Sequence, residues 1–140
     1  DLSNVDSLIS LDTTGNPIIG MSISGNSMTT VTNAGSESVT NFSTAQTVDA
    51  SVVPEPYTLA ASGTVDSSQL TGIISFTSPV TFQGAGAGYP FAGELLITGA
   101  DGGTIRLIAL DAINVRIETD TNGDGMVDAT EDTTWDDVAQ

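Results

Sequence analysis

Between Asp120 and Glu131 the chain reads DTNGDGMVDATE, with oxygen-bearing side chains at every second position around Gly125. This fits D-x-[DN]-x-[DN]-G-x5-E, the calcium-wrapping loop of EF-hands, without a gap. Read that way, Asp120, Asn122 and Asp124 supply the first three side-chain oxygens, and Gly125 makes the sharp turn. Met126 then offers its backbone carbonyl, Asp128 acts directly or through a water, and Glu131 closes the set with both carboxylate oxygens. Calcium takes about six to eight hard oxygens in flexible geometry, which such a loop provides, whereas magnesium keeps more of its water. Charge points the same way. Eight carboxylates lie between Glu118 and Asp137, and each pair held about 4 Å apart repels by roughly 4 kcal/mol at an effective dielectric of about 20. A divalent cation removes that cost. The plainer alternative is a solvated acidic turn. Calcium is the expected cofactor, acting as a staple of modest affinity rather than as a reaction centre.

The flanks of the loop are not those of an EF-hand. Ile113, Val115 and Ile117 alternate into it, so a strand enters where a helix should be. After Glu131 the run DTTWDDVAQ is too short and threonine-rich for an exit helix. Thr133 to Val138 is expected to return as a strand, with Trp135 on the core face. A hairpin tip of this kind has no paired helices to swing open, which argues against a calcium sensor. Glu131 is the ligand most exposed to failure, because a strand exit need not carry it back to the ion.

Upstream, the chain is dominated by Thr, Ser, Gly and Val, and period-two alternation is easy to find. Ile19, Met21 and Ile23 alternate with small residues; Tyr57, Leu59, Ala61 and Val65 share a face, as do Leu70, Ile74 and Phe76. Turn signals separate these runs: Thr14-Gly15-Asn16-Pro17, Gly25-Asn26, Asn33-Ala34-Gly35 and Asp101-Gly102-Gly103. The pattern predicts one all-β domain over 1–140, an antiparallel sandwich or barrel of roughly eight to ten strands. At this length such a domain buries roughly two-thirds of its unfolded surface. A three-residue hairpin loop at Leu110, Asp111 and Ala112 would set Ile105 against Ile117, Leu107 against Val115 and Ala109 against Ile113. It would also set Arg106 against Arg116, so that carboxylates such as Glu94 or Glu118 must offset the two arginines; an anion-binding pair is the sharper reading and surface ion pairing the blander one. The glycine-rich run Gly84 to Gly93 lacks the Lys-Ser/Thr ending of a phosphate loop. It reads as a flexible connection, with Tyr89 and Phe91 tucked against the sheet. VVPEP at Val52 to Pro56 reads as a loop, and the NFS at Asn41 is a glycosylation pattern short enough to arise by chance.

Composition removes many activities. The chain has no cysteine and no histidine, so disulfides, the usual zinc and haem ligands, and Ser-His-Asp or Cys-His catalysis have nothing to work with. Eighteen acids face two arginines, for a net charge of -16. That charge repels nucleic acid and anionic membrane. It also resists compaction unless salt or cations screen it, which suits an extracellular or cell-surface setting. No apolar run approaches the roughly 20 residues of a membrane span. The start at Asp1 without methionine reads as a processed or trimmed product.

The run FAGELLITGADGGTIRLIALDAINVRIETDTNGDGMVDATEDTTW, Phe91 to Trp135, resembles the C-terminal part of secreted or lipid-anchored bacterial proteins, and ASGTVDSSQLTGIISFTSPVTFQG resembles the segment preceding it in them. The resemblance implies a cell-envelope or extracellular address and no particular activity. Three functions follow. The first is a non-enzymatic, calcium-stabilised extracellular structural protein: a surface, adhesive or filament-forming subunit. It would self-associate by lending residues 1–12, anchored by Val5, Leu8, Ile9 and Leu11, to a neighbour's sheet edge. The second is an extracellular binding module or carrier for an apolar ligand or glycan. The third, a hydrolase using paired carboxylates, is disfavoured because the clustered acids are those the ion would take.

Overall fold

A computed structural model describes residues 2–12, 17–32 and 35–139. Nine strands form one antiparallel sheet in which spatial order equals chain order. They are β1 (Leu2–Asp12), β2 (Ile18–Thr32), β3 (Gly35–Asp49), β4 (Pro56–Ser67), β5 (Ile74–Ala85), β6 (Ala92–Thr98), β7 (Thr104–Ala109), β8 (Asn114–Asp120) and β9 (Ala129–Thr134), followed by one helical turn, α1 (Trp135–Val138). The all-β antiparallel expectation holds. What the described strands build is a single sheet, and β1 and β9 stand at its two edges. Among the described residues no helix is long and apolar enough to cross a membrane.

The alternating strand residues read from the sequence fall on one face, except that Leu70, expected with Ile74 and Phe76, lies in the β4–β5 turn. Cross-strand register aligns Ile9, Met21, Gln46, Leu59 and Phe82 in one row, and Ser7, Ile23, Thr44 and Ala61 in the next. A third row crosses the whole sheet through Val5, Gly25, Phe42, Gly63, Phe76, Ile97, Ile105, Thr119 and Ala129. The opposite face carries Asp6, Ser22, Ser24, Ser43, Ser62 and Thr64, and farther on Glu94, Arg106, Arg116 and Glu118. Directly paired residues share a side and successive residues alternate, so this division follows from register.

Aromatic rings lie over glycines of neighbouring strands. Phe42 covers Gly25, Phe76 covers Gly63, Tyr57 covers Gly84 and Phe82 covers Gly93; a Cβ placed on Gly63 would stand 2.8 Å from Phe76 Cζ. The missing side chain lets the ring lie flat across the strand, a device that pins register. It explains why Gly25-Asn26 is not a turn. β2 runs unbroken through it, and Gly25 is the floor beneath Phe42. Asn4, Asn26 and Asn41 fall in line across β1, β2 and β3, with positive φ at Asn4 (47°) and Asn41 (49°). The β3–β4 register shifts there, between Thr40 and Ser43, so the extra residue restores Val39 and Met28 to the apolar face after it.

The second half of the sheet curls. Register shifts twice between β5 and β6, and bulges of this kind increase local bend and twist. Phe82 in β5 and Trp135 after β9 are four strand spacings apart, about 19 Å on a flat sheet. Their ring centroids are nonetheless 6.3 Å apart, edge to face, and Tyr89 stacks on Trp135 at 5.8 Å. Trp135 Nε1 donates to the carbonyl of Pro90 at 3.0 Å. Among the described residues the buried apolar ones are Phe82, Ala109 and Val115, with Val115 at 0% exposure. Trp135 therefore takes the core face as expected. It does so from a helical turn, because Thr134 caps the chain there: its hydroxyl lies within hydrogen-bonding distance of the Asp137 amide and carboxylate.

The β7–β8 hairpin differs from its expected register by two residues. Leu107 pairs with Ile117 and Ala109 with Val115, leaving Leu110 to Ile113 as a four-residue loop. Asp111 decides this. Its Oδ1 accepts from the Ile113 amide at 2.8 Å and the Asn114 amide at 2.7 Å, fixing a wider turn. The two arginines are consequently not opposed. Arg106 pairs in register with Glu118, and Arg116 makes a two-pronged ion pair with Asp132 of β9, at 2.7 and 3.0 Å.

Candidate functional site

The acidic loop connects β8 to β9 and spans residues 121–128. Asp120, the last residue of β8, is 6% exposed. Its Oδ1 accepts the Gly123 amide at 2.7 Å and its Oδ2 accepts the Gly125 amide at 2.8 Å. Asn122 Oδ1 accepts the Asp124 amide at 2.9 Å, and Asp124 Oδ1 accepts the Met126 amide at 2.8 Å. Each side chain thus folds forward over the backbone that follows it, Asn122 and Asp124 as Asx turns and Asp120 with a longer reach. Gly125, with φ of 84°, and Gly123, with φ of 73°, supply the left-handed residues this winding needs.

Asp128 closes the loop. Its amide donates to the Thr119 carbonyl at 2.8 Å. Its Oδ2 accepts both the Thr121 amide, at 2.7 Å, and the Thr121 hydroxyl. These bonds from Thr121, hydroxyl first, hold the Asp128 carboxyl below its ordinary pKa. The Asp132 carboxyl is lowered likewise by its hydrogen bond to Arg116.

The loop therefore gathers Asp120, Asn122, Asp124, Met126 and Asp128 into one winding, and leaves Glu131 outside it. Glu131 lies in β9 opposite Ile117, three residues before Asp120 along β8, and on the apolar face. Among the described residues, no three acidic side chains stand close enough together to form a ready-made metal cluster. The donor chemistry suits a hard cation, and the backbone winding is already set. Two contributors escaped the sequence reading. Thr121 locks Asp128, and the β6–β7 turn packs against the loop, where a Cβ on Gly123 would meet the Gly102 backbone at 3.0 Å. The Asp101-Gly102-Gly103 signal marked that turn, but nothing local could reveal its neighbour.

Two hollows flank the loop. On the charged face, an open cleft of about 330 Å³ is lined by Leu96, Thr104, Arg106, Glu118, Asp120 and Met126, among others. On the apolar face, a groove of about 510 Å³ runs between Leu70, Ile74, Ile97, Ile105, Thr119 and Thr121. This is the open end of the curl, opposite the end that Trp135 closes. The glycine-rich run lies at that closed end, with Tyr57 donating to the Gly88 carbonyl at 2.8 Å and Tyr89 to Asp136 at 3.0 Å.

Compared with family models, curated proteins and solved structures, the chain matches none.

Proposed function

We propose that the chain is a non-enzymatic extracellular structural protein, a surface or filament-forming subunit that calcium stabilises at the Asp120–Asp128 loop. The observation that carries the reading is a long sheet whose apolar face is left open over four strands and whose edge strand β1, among the described residues, pairs on one side only. β1 carries acids but no lysine, proline or bulge-terminated end to blunt pairing with another chain. Calcium would bind through Asp120, Asn122, Asp124 and Asp128 with the Met126 carbonyl, and it would supply charge neutralisation rather than chemistry. Glu131 joins only if β9 shifts. The extracellular address rests on the acidity and on the resemblance to secreted or lipid-anchored bacterial proteins.

Assembly can be tested by sedimentation velocity and negative-stain microscopy in millimolar calcium at near-physiological salt. The reading expects species larger than one chain that grow with protein concentration. A single monomeric species at every concentration contradicts it. The groove between Leu70 and Thr121 favours a second reading, a carrier for an apolar ligand. Saturable binding of a fluorescent fatty acid, lost on Ile97→Asp, would support that reading instead.

A further inference from the structure

The open part of the apolar face is the first half of the sheet. Over β1 to β4 it presents Val5, Ile9, Leu11, Ile19, Met21, Ile23, Met28, Phe42, Val48 and Leu59. Met21 is 42% exposed and Ile23 37% exposed at its centre. A sheet hydrophobic on one face is stable only when that face is covered by a second layer, and among the described residues none covers it here.

Charge singles out the occupant. β2 contains no charged residue. Across β1 to β4, register puts Asp6, Asp12, Asp49 and Asp66 on the other face and leaves Glu37, at one corner, as the acid on this one. A chain of net charge -16 would repel its own copy over nearly any other surface, yet this face can meet its like without opposing carboxylates. The area also suffices. Four strands about 4.8 Å apart, with about eleven residues each at about 3.3 Å, span on the order of 700 Å². A standard interface buries about 600–1,000 Å² per partner.

We propose that the missing layer is a second copy of this chain, packed apolar face to apolar face over β1 to β4. The two sheets would lie about 10 Å apart with strands crossing near -30°. The sandwich expected from the sequence would then form between chains rather than within one. This deepens the self-association reading and rests on it, adding a face contact to any pairing at the β1 edge.

Alternation along β2 supplies the test. Met21→Lys and Ile23→Lys place a charge on the apolar face, whereas Ser22→Lys and Ser24→Lys place the same charge one residue away on the other. Sedimentation velocity over a hundredfold concentration range should show dimers of the parent, of Ser22→Lys and of Ser24→Lys. Met21→Lys and Ile23→Lys should weaken dimerisation at least tenfold. Circular dichroism melting of each variant checks folding, and Met21→Ser offers a gentler change with the same expected direction. Dimerisation unaffected by all the apolar-face variants, or weakened equally on both faces, overturns the face contact and leaves self-association by another surface standing. A parent chain that stays monomeric overturns both, including the case where neutral phosphatidylcholine vesicles bind this face instead.

Discussion

At the scale of single residues, Asp120 does two jobs that can be separated. It accepts hydrogen bonds from the Gly123 and Gly125 amides through a side chain that is itself buried, and it is the first expected ligand of the proposed ion. Asp124 would offer an oxygen to the proposed ion too, but its hydrogen bond to Met126 is exposed. A hydrogen bond to a charged group contributes about 1.5–3 kcal/mol. Asp120→Ala should therefore lower stability by about that amount even in chelator, measured by urea unfolding. Asp124→Ala should change little in chelator and lose the calcium-dependent part. Equal effects of the two variants in chelator would contradict this assignment.

At the scale of elements, the aromatic-over-glycine pairs fix the sheet. Gly93 has φ of 123°, and a Cβ there would come within 2.5 Å of Phe82 Cα. Gly102 has φ of 88° with nothing within 4 Å of such a Cβ. Positive φ alone costs about 1–3 kcal/mol, and overpacking adds about 1–3 kcal/mol. Gly93→Ala should accordingly cost about 3 kcal/mol or more, and Gly102→Ala nearer 1 kcal/mol, read as shifts in the urea midpoint. Similar shifts for both would mean that the Phe82 contact does not constrain the strand.

These pairs also mark what was legible in the sequence. Alternation at Ile19-Met21-Ile23 and at Tyr57-Leu59-Ala61 fixes which residues share a face, because period two belongs to the strand itself. The β7–β8 register was not legible, since a slip of two residues keeps every side chain on its face, and Asp111 alone settles the turn. Gly25-Asn26 reads as a turn locally, and only Phe42, on the next strand, shows it to be a floor. The loop residues Asp120 to Asp128 were legible because their spacing is local. The position of Glu131 depends on where β9 pairs, which spacing does not encode.

At the scale of the whole molecule, the sheet is asymmetric. Its second half curls so that Trp135 meets Phe82, and its first half lies open with an apolar face whose one acid, Glu37, stands at a corner. Most carboxylates gather in the curled half and on the opposite face. The curled half must nonetheless hold eight acids between Glu118 and Asp137 against one ion pair among the described residues, Arg116 with Asp132. The proposed cation at the loop would relieve that repulsion. Its contribution to stability follows mass action, RT ln(1 + [L]/Kd).

The most direct test is thermal melting of the purified chain in about 10 mM calcium chloride and in chelator, at fixed ionic strength. With a dissociation constant near 1 mM, as in extracellular modules, calcium should add about 1.4 kcal/mol. That raises the melting temperature by roughly 4 °C, and Asp124→Ala should abolish the rise. Identical melting curves with calcium and with chelator would contradict the account.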